Sequence, residues 1–401
     1  MKCRMAVLLF GFFAGITAVA QSSQLAQFLE KYRLETLAKQ SFAQTGLSAR
    51  DCKKLVPLLT EMWYQEVSER LQEQGEALCI RRGDRVLRYE GQDFGEPPED
   101  GYSLYISLHG GGAAPKEVND QQWKNQIELY APAQGIYIAP RAPWDDWNMW
   151  FKPGIDELFE DLIQWMVVSF GVNPNRVYLL GYSAGGDGVW RLAPRMADRW
   201  AAAAMMAGHP GEARQENLRN VPFQIWMGEK DAAYQRNAEA VRKGEVLDSL
   251  EAAYPLSYIH ETHIVKDKGH WMERQDSVAV DWLANFERDP LPYALVWRQE
   301  EVVRPNFYWL EVDQHEAQQG MRVDAELEGN TIQLLRCDYR KLRIYLNDEM
   351  VDLDQPVKVV YQGKMLFEGM LKRTLANMAR TLAQRGDTNW IFSSVVEVTI
   401  N

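Results

Sequence analysis

Val177-Tyr-Leu-Leu-Gly-Tyr-Ser-Ala-Gly-Gly186 sets an apolar run directly ahead of Gly181-Tyr-Ser-Ala-Gly185, a match to G-x-S-x-G, and then leads into a helix-compatible stretch. The pattern predicts a strand, a sharp turn and a helix, with Ser183 on the turn. Glycine is needed on both sides because a side chain there would collide with neighbouring backbone. Such a turn lifts the hydroxyl clear of the sheet and aims the first N–H groups of the helix, Ala184 foremost, at the space where a tetrahedral oxyanion would form. The same five-residue pattern also arises by chance as an ordinary tight turn with an exposed serine. The sequence around it separates the two.

Working outward, short apolar strands are predicted at Tyr102 to Leu108, Gly135 to Ala139, Arg176 to Leu180, Trp200 to Ala207, Phe223 to Met227 and Tyr258 to Val265. One strong helix falls among them: Ile155, Leu158, Phe159, Leu162, Ile163, Met166, Val167 and Phe170 share a face, closed by Gly171 and a turn at Asn173-Pro-Asn175. Strand–helix alternation predicts right-handed crossovers and a mostly parallel sheet, with functional groups at the carboxyl ends of strands.

The chemistry-bearing residues sit at those ends. A serine nucleophile needs a base, and the base needs an orienting carboxylate. The strand Phe223 to Met227 runs into Gly228-Glu-Lys-Asp231, and Tyr258 to Val265 runs into Lys266-Asp-Lys-Gly-His270. Ser183, Asp231 and His270 are therefore the candidate catalytic set, with Glu229 and Asp267 as the neighbouring carboxylates, read as solvent-facing. Leu108 is followed by His109-Gly-Gly-Gly112, where bare backbone can offer a second oxyanion donor from Gly110 or Gly111 alongside Ala184. No P-loop lysine follows these glycines, and His109 reads as a loop anchor rather than a base.

The flanks differ in character. Residues 21–75 read as a helical segment, with Leu25, Phe28, Leu29, Tyr32 and Leu37, then Leu55, Leu58, Leu59, Met62 and Trp63, near helical spacing. Ala77 to Ile80 and Val86 to Tyr89 read as a strand pair, and Gly95 to Gly101 as a loop. Beyond Pro290-Leu-Pro292 the sequence switches to period-two alternation, which predicts a small antiparallel β domain over 300–401 with a core of its own and one helix, Thr374 to Arg385, either packing on the preceding domain to stabilise it, the preferred reading, or binding carbohydrate or a partner. The expected order is a signal at 1–20, the helical segment at 21–75, a catalytic domain at 76–290 and the β module.

Met1 to Ala20 carries Lys2 and Arg4, an apolar run from Met5 to Ala14, and Ala18-Val-Ala20, the layout of a cleavable secretory signal. A periplasmic or secreted location is the expectation, with no membrane span after cleavage. Losing Lys2 and Arg4 takes the formal charge from −12 to −14, and no basic run interrupts that balance, so a nucleic-acid partner is not expected. Cys52, Cys79 and Cys337 would remain: either one disulfide, with Cys52 to Cys79 the nearer pair, or three buried thiols. Neither C-x-x-C nor H-E-x-x-H occurs, so neither a metal nor any other cofactor is expected.

With these residues in hand, the chain resembles the α/β-hydrolase superfamily, and within it secreted esterases related to poly(3-hydroxybutyrate) depolymerases and feruloyl or acetylxylan esterases. The likeness rests on His109-Gly-Gly-Gly112, Ala139-Pro-Arg-Ala-Pro143, Gly181-Tyr-Ser-Ala-Gly-Gly186, Asp231 and Gly269-His270, over about residues 76 to 290. Dienelactone hydrolases are neighbours, but their nucleophile is cysteine where this chain has Ser183. The resemblance implies hydrolysis of carboxylic esters, including bulky or polysaccharide-linked ones. Trp144, Trp147, Trp150, His209 and Trp271 are the candidate substrate-binding residues, weighed against simple packing of a tryptophan-rich loop. Gly208 to Val221 leaves no room for a helical lid. Two other readings stand beside the esterase: a serine peptidase like the prolyl oligopeptidases, although no propeller repeat is present, and a non-catalytic binding protein on the same scaffold.

Overall fold

A computed structural model of the chain describes Leu29 and residues 31–400. The expected signal at 1–20 lies outside the described residues, as do Leu25 and Phe28. No helix among the described residues is long and apolar enough to cross a membrane.

The first long element is a helix, α1 (Ala49–Glu76), opened by Ser48, whose hydroxyl accepts from the Asp51 N–H at 3.2 Å. Leu55, Leu59, Trp63, Val67 and Leu71 recur every fourth residue and form its buried stripe. A hairpin follows, β1 (Cys79–Arg82) and β2 (Arg85–Phe94), turning at Gly83 and Asp84. The strand pair was expected to stop at Tyr89. Instead β2 continues through the polar run Glu90 to Asp93 and pairs antiparallel with β4 (Gly135–Arg141).

The remaining strands of this sheet are β3 (Tyr102–Leu108), β5 (Val172–Tyr182), β6 (Ala202–Met206), β7 (Phe223–Gly228) and β8 (His260–Val265). The eight run in the order β1-β2-β4-β3-β5-β6-β7-β8, parallel from β4 onward. The crossovers include α2 (Lys116–Ile127), α3 (Ile155–Phe170), α4 (Ala184–Arg195) and α5 (Arg236–Ala253). Helix α3 is the one the apolar pattern predicts; it ends at Gly171 in the left-handed region, φ 65°, and β5 begins at once, with the turn expected at Asn173–Asn175 as an excursion within it: the Asn175 N–H donates to Asn173 Oδ1 at 2.9 Å, and pairing with β3 shifts register between Val172 and Val177.

The carboxyl-terminal segment holds two sheets. One has the order β10-β11-β14-β17, from Asn306–Phe307, Leu310–Glu311, Lys341–Leu346 and Ser394–Thr399. The other has the order β16-β15-β13-β12-β9, from Lys364–Gly369, Val357–Tyr361, Thr331–Cys337, Arg322–Glu328 and Ala294–Arg298. It differs from expectation in three ways. Its first strand starts at Ala294 rather than after residue 300, and β13 and β15 pair parallel. Its apolar interior is also not separate: Trp309, Tyr308 and Trp390 belong to one continuous cluster with Leu179 of β5, Phe159 of α3 and Trp200 just ahead of β6. The helix α6 (Leu375–Arg385) packs against α1, which itself packs on α3.

The junction is also ionic. Arg288 donates to Asp387 at 2.6 Å, Arg385 to Asp198 at 3.1 Å, and Arg304 to Glu160 at 2.7 Å, while the guanidinium groups of Arg199, Arg288 and Arg385 all lie against the Trp390 ring. The carbonyls of Pro290 and Pro292, read from sequence as a boundary, accept from the indole N–H groups of Trp390 and Trp309. Cys52, Cys79 and Cys337 are buried free thiols, which corrects the Cys52–Cys79 disulfide alternative. Cys52 lies on the α1 stripe and Cys79 in β1.

Glu300, just past β9, is buried, and its carboxyl is pushed up to about 7, first by burial and then by neighbouring Glu301. A raised carboxyl pKa means the folded state binds a proton more tightly than the unfolded chain. Its contribution to stability is complete below about pH 4.5 and declines as pH rises through 7. Glu300→Gln should therefore gain roughly 1–3 kcal/mol over wild type at pH 8, and little at pH 4.5. Thermal melts of both proteins across pH 4.5–8 check this; parallel curves would show that Glu300 is not the titrating group.

Candidate active site

Strand β5 delivers Tyr182 and Ser183 to the carboxyl edge of the sheet, and α4 begins at the next residue. Ser183 has φ 58° and ψ −120°, an unfavourable conformation for a non-glycine residue, held by its N–H bond to the Met206 carbonyl at 2.9 Å. The two motif glycines are needed for the reason read from sequence. A Cβ at Gly181 would lie 2.5 Å from the Gly185 carbonyl oxygen, and one at Gly185 would lie 2.0 Å from that of Leu108.

The His270 Nε2 stands 2.8 Å from Ser183 Oγ, and its Nδ1 stands 2.6 Å from Asp231 Oδ2. Three residues from three separate loops thus meet in one hydrogen-bonded line. Asp231 is buried, so its carboxylate faces the imidazole with little competition from water, and Arg236 Nη1 lies 3.6 Å from its other oxygen. The neighbouring carboxylates go elsewhere. Glu229 accepts from the Asp267 N–H at 2.9 Å, and Asp267 pairs with exposed Lys230 at 2.8 Å.

On the other side of Ser183 lies the glycine run. The position a Cβ would take on Gly110 is 3.2 Å from the Ser183 Cβ, so this backbone abuts the serine. Ala184, as the first helical residue, has no carbonyl four residues back within its helix to receive its N–H. Gly111 has φ 109°, and a Cβ there would strike Asn119 Oδ1 at 2.1 Å. Gly112 is not a free donor: its N–H is given to Asn119 Oδ1 at 2.9 Å.

His109 is an anchor in geometry as well as in sequence. It is fully buried, and its Nε2 accepts the Ala142 N–H at 3.1 Å, which leaves Nδ1 carrying the proton toward the Gly110 carbonyl at 2.6 Å. Burial pushes its pKa down to about 3, so the ring stays neutral. Because a trans peptide points its C=O and N–H in opposite directions, holding the Gly110 carbonyl also fixes the direction of the Gly111 N–H.

Sequence reading missed Asn119. It is fully buried on α2, and its amide also donates to the carbonyls of Gly112 and Ala114 and to Asp145 Oδ1, at 3.0, 3.1 and 2.9 Å. It also missed Asp187, a carboxylate on α4 whose pKa is raised by burial and which accepts the His209 N–H at 2.6 Å.

The candidate substrate-binding residues divide. Trp150 is a correction: it is fully buried, its indole donates to the His109 carbonyl at 2.9 Å, and it packs on Phe159. It is a core residue because Gly188 of α4 leaves the space it fills. Trp144 is half-buried against the core with Lys152 over its ring. Trp147 and Trp271 are exposed, at 65% and 51%, and flank the site, the former beside Gly112 and the latter next to His270. His209 is half-buried, and its Nδ1 accepts from the Gly211 N–H at 2.9 Å, which is a loop-shaping role.

No protein-family model matches the chain, and no curated protein matches it. Among solved structures, it is similar to a thermostable esterase at 17% identity, over 52% of this chain and 62% of that one, with a TM-score of 0.40. A poly(3-hydroxybutyrate) depolymerase from Bordetella parapertussis matches at 17% identity, over 56% and 95% of the two chains, with a TM-score of 0.39. A feruloyl esterase module from Clostridium thermocellum, complexed with sinapinate, matches at 14% identity, over 52% and 86%, with a TM-score of 0.37. The fold assignment stands on this chain's own topology: an antiparallel β2 beside a parallel run, β4 and β3 exchanged in order, and a strained serine between β5 and α4. That arrangement is the α/β-hydrolase fold.

Proposed function

We propose that this chain is a serine hydrolase that cleaves carboxylic esters through an acyl-enzyme. The observation that carries the reading is the unbroken line from Ser183 Oγ through His270 to buried Asp231, at 2.8 and 2.6 Å. In this reading His270 Nε2 takes the hydroxyl proton as Ser183 Oγ attacks the ester carbonyl. The N–H groups of Ala184 and of Gly110 or Gly111 receive the developing oxyanion. The imidazolium then returns its proton to the departing alcohol, and water repeats the sequence to free the acid. Asp231 holds the tautomer and stabilises the imidazolium.

The candidate site is accessible from solvent. Only a loop and the single turn Glu216–Asn220 separate β6 from β7, and His270 is 43% exposed along its side chain. Openness, with the exposed rings of Trp147 and Trp271 at its rim, supports bulky or polysaccharide-linked esters over substrates that need a closed tunnel. The layout of Met1 to Ala20 supports action in the periplasm or outside the cell.

A hydrolysis screen with p-nitrophenyl acetate, longer acyl esters, methyl ferulate, acetylated xylan and aminoacyl nitroanilides tests the class. Ester turnover is expected; turnover confined to the nitroanilides would point to a peptidase, and none at all to a binding protein. Within that screen, Asp231→Asn should lower kcat by roughly 10^4-fold, since the wrong imidazole tautomer is then held. Glu229→Gln and Asp267→Asn should leave it nearly unchanged. A larger loss from Glu229→Gln would reassign the acid.

A further inference from the structure

The base sits on a loop with strained backbone. Asp267, Glu273 and Arg274 all have positive φ, at 62°, 56° and 63°, a conformation that non-glycine residues enter only when surroundings impose it. Neighbouring segments hold the loop on both sides of His270. On the acid side, the Lys230 N–H donates to the Lys268 carbonyl at 2.7 Å, and Gly228 lets the Gly269 carbonyl come so close that a Cβ would lie 2.0 Å from it. On the nucleophile side stands Tyr182. Its hydroxyl donates to the His270 carbonyl at 2.7 Å and accepts the Met272 N–H at 3.0 Å, bracketing the residue that precedes Met272. Its ring lies edge-on to the His270 imidazole, with centroids 6.1 Å apart, and packs against Trp271 at 5.5 Å.

Tyr182 directly precedes Ser183, and it reaches a residue 88 positions away. One side chain thus ties the segment bearing the nucleophile to the segment bearing its base. We propose that Tyr182 is a positioning residue: its hydroxyl, gripped between the His270 carbonyl and the Met272 N–H, sets the place of the imidazole over the serine next to it. The proposal rests on the hydrolase reading given above. Tyr182 touches no reacting atom, so its effect passes through His270. Burial raises the pKa of its hydroxyl, which keeps the donating proton in place throughout the range in which an esterase works.

Tyr182→Phe keeps the ring and removes both bonds. Tyr178→Phe is the matched control, because Tyr178 lies in the same apolar cluster and its hydroxyl makes the same kind of bond, to the Phe286 carbonyl at 2.8 Å, away from the loop. Assays use the full chain with p-nitrophenyl acetate, with Tm recorded for each variant. A merely structural tyrosine would lower Tm in both variants and leave kcat alone. Displacement of the base should instead lower kcat of Tyr182→Phe by roughly 10-fold or more, with KM changed by less than about twofold. Labelling of Ser183 by a fluorophosphonate should slow in parallel, while Tyr178→Phe keeps both rates. Equal Tm losses with wild-type kcat in both would overturn the assignment, as would a Tyr182→Phe defect confined to KM. Ser183→Ala separates the two levels. If it is inactive while Tyr182→Phe runs as wild type, only the role of Tyr182 falls; if it turns over normally, the hydrolase reading falls and takes this proposal with it.

Discussion

Ser183→Ala is expected to lower turnover of p-nitrophenyl acetate by about 10^4-fold or more, with Tm almost unchanged. The size of the effect follows from the geometry: Ser183 Oγ stands 2.8 Å from the imidazole Nε2, and among the described residues no other side chain hydrogen-bonds to that nitrogen. The small effect on stability follows from the same contacts. Ser183 is half-buried, its oxygen bonds only to an exposed imidazole, and alanine bears the φ of 58° no worse than serine does. Steady-state rates and melting curves on the two purified proteins check both halves. Wild-type turnover in the alanine variant would falsify the proposed mechanism.

Truncation after Asp289 is expected to abolish cooperative folding. No residue of the candidate triad or glycine run lies beyond His270, so by chemistry alone the shortened chain has all it needs. The junction says otherwise. Asp198, wholly buried, would lose Arg385 and Arg304, Glu160 would lose Arg304, and Arg288 would lose Asp387. Stripping one partner from a buried ion pair costs about 3–5 kcal/mol, and several are stripped at once. The covering rings of Tyr308, Trp309 and Trp390 would go as well, exposing the apolar surface beneath them. Against a typical total stability of roughly 5–15 kcal/mol, this leaves no margin. Expression of residues 21–289, followed by circular dichroism melting, decides it. A soluble product with a wild-type-like transition would show that the β segment is an appendage.

These expectations divide according to what a linear pattern records. The elbow, the glycine run and the order of serine, aspartate and histidine were legible because each requires a particular residue at a strand end. The strands of the large sheet were legible as short continuous apolar runs, and helix α3 through its periodicity. Helix α2 was not: its buried positions are Asn119 and Gln126, so its inward face carries no hydrophobic signal. The same polarity makes Asn119 able to hold the glycine loop. Strand β2 was cut short for a related reason, since Glu90 to Asp93 look like loop until β4 pairs with them.

By itself, then, the sequence determined the strand–turn–helix at Ser183, the three candidate catalytic residues and the mostly parallel sheet, because close backbone approach, two-sided burial of central strands and 3.6-residue burial of helices restrict residue type locally. Tertiary structure decided the rest. It placed Trp150 in the core and left Trp147 of the same loop, and Trp271 beside His270, at the rim, a distinction that composition cannot make among tryptophans. It kept the cysteines apart as thiols, let Tyr182 reach the His270 loop, and merged the β segment into the core of the large sheet. Each of these depends on which distant surfaces meet, and contacts between residues such as Asp198 and Arg385 or Tyr182 and His270 leave no periodic trace in the chain.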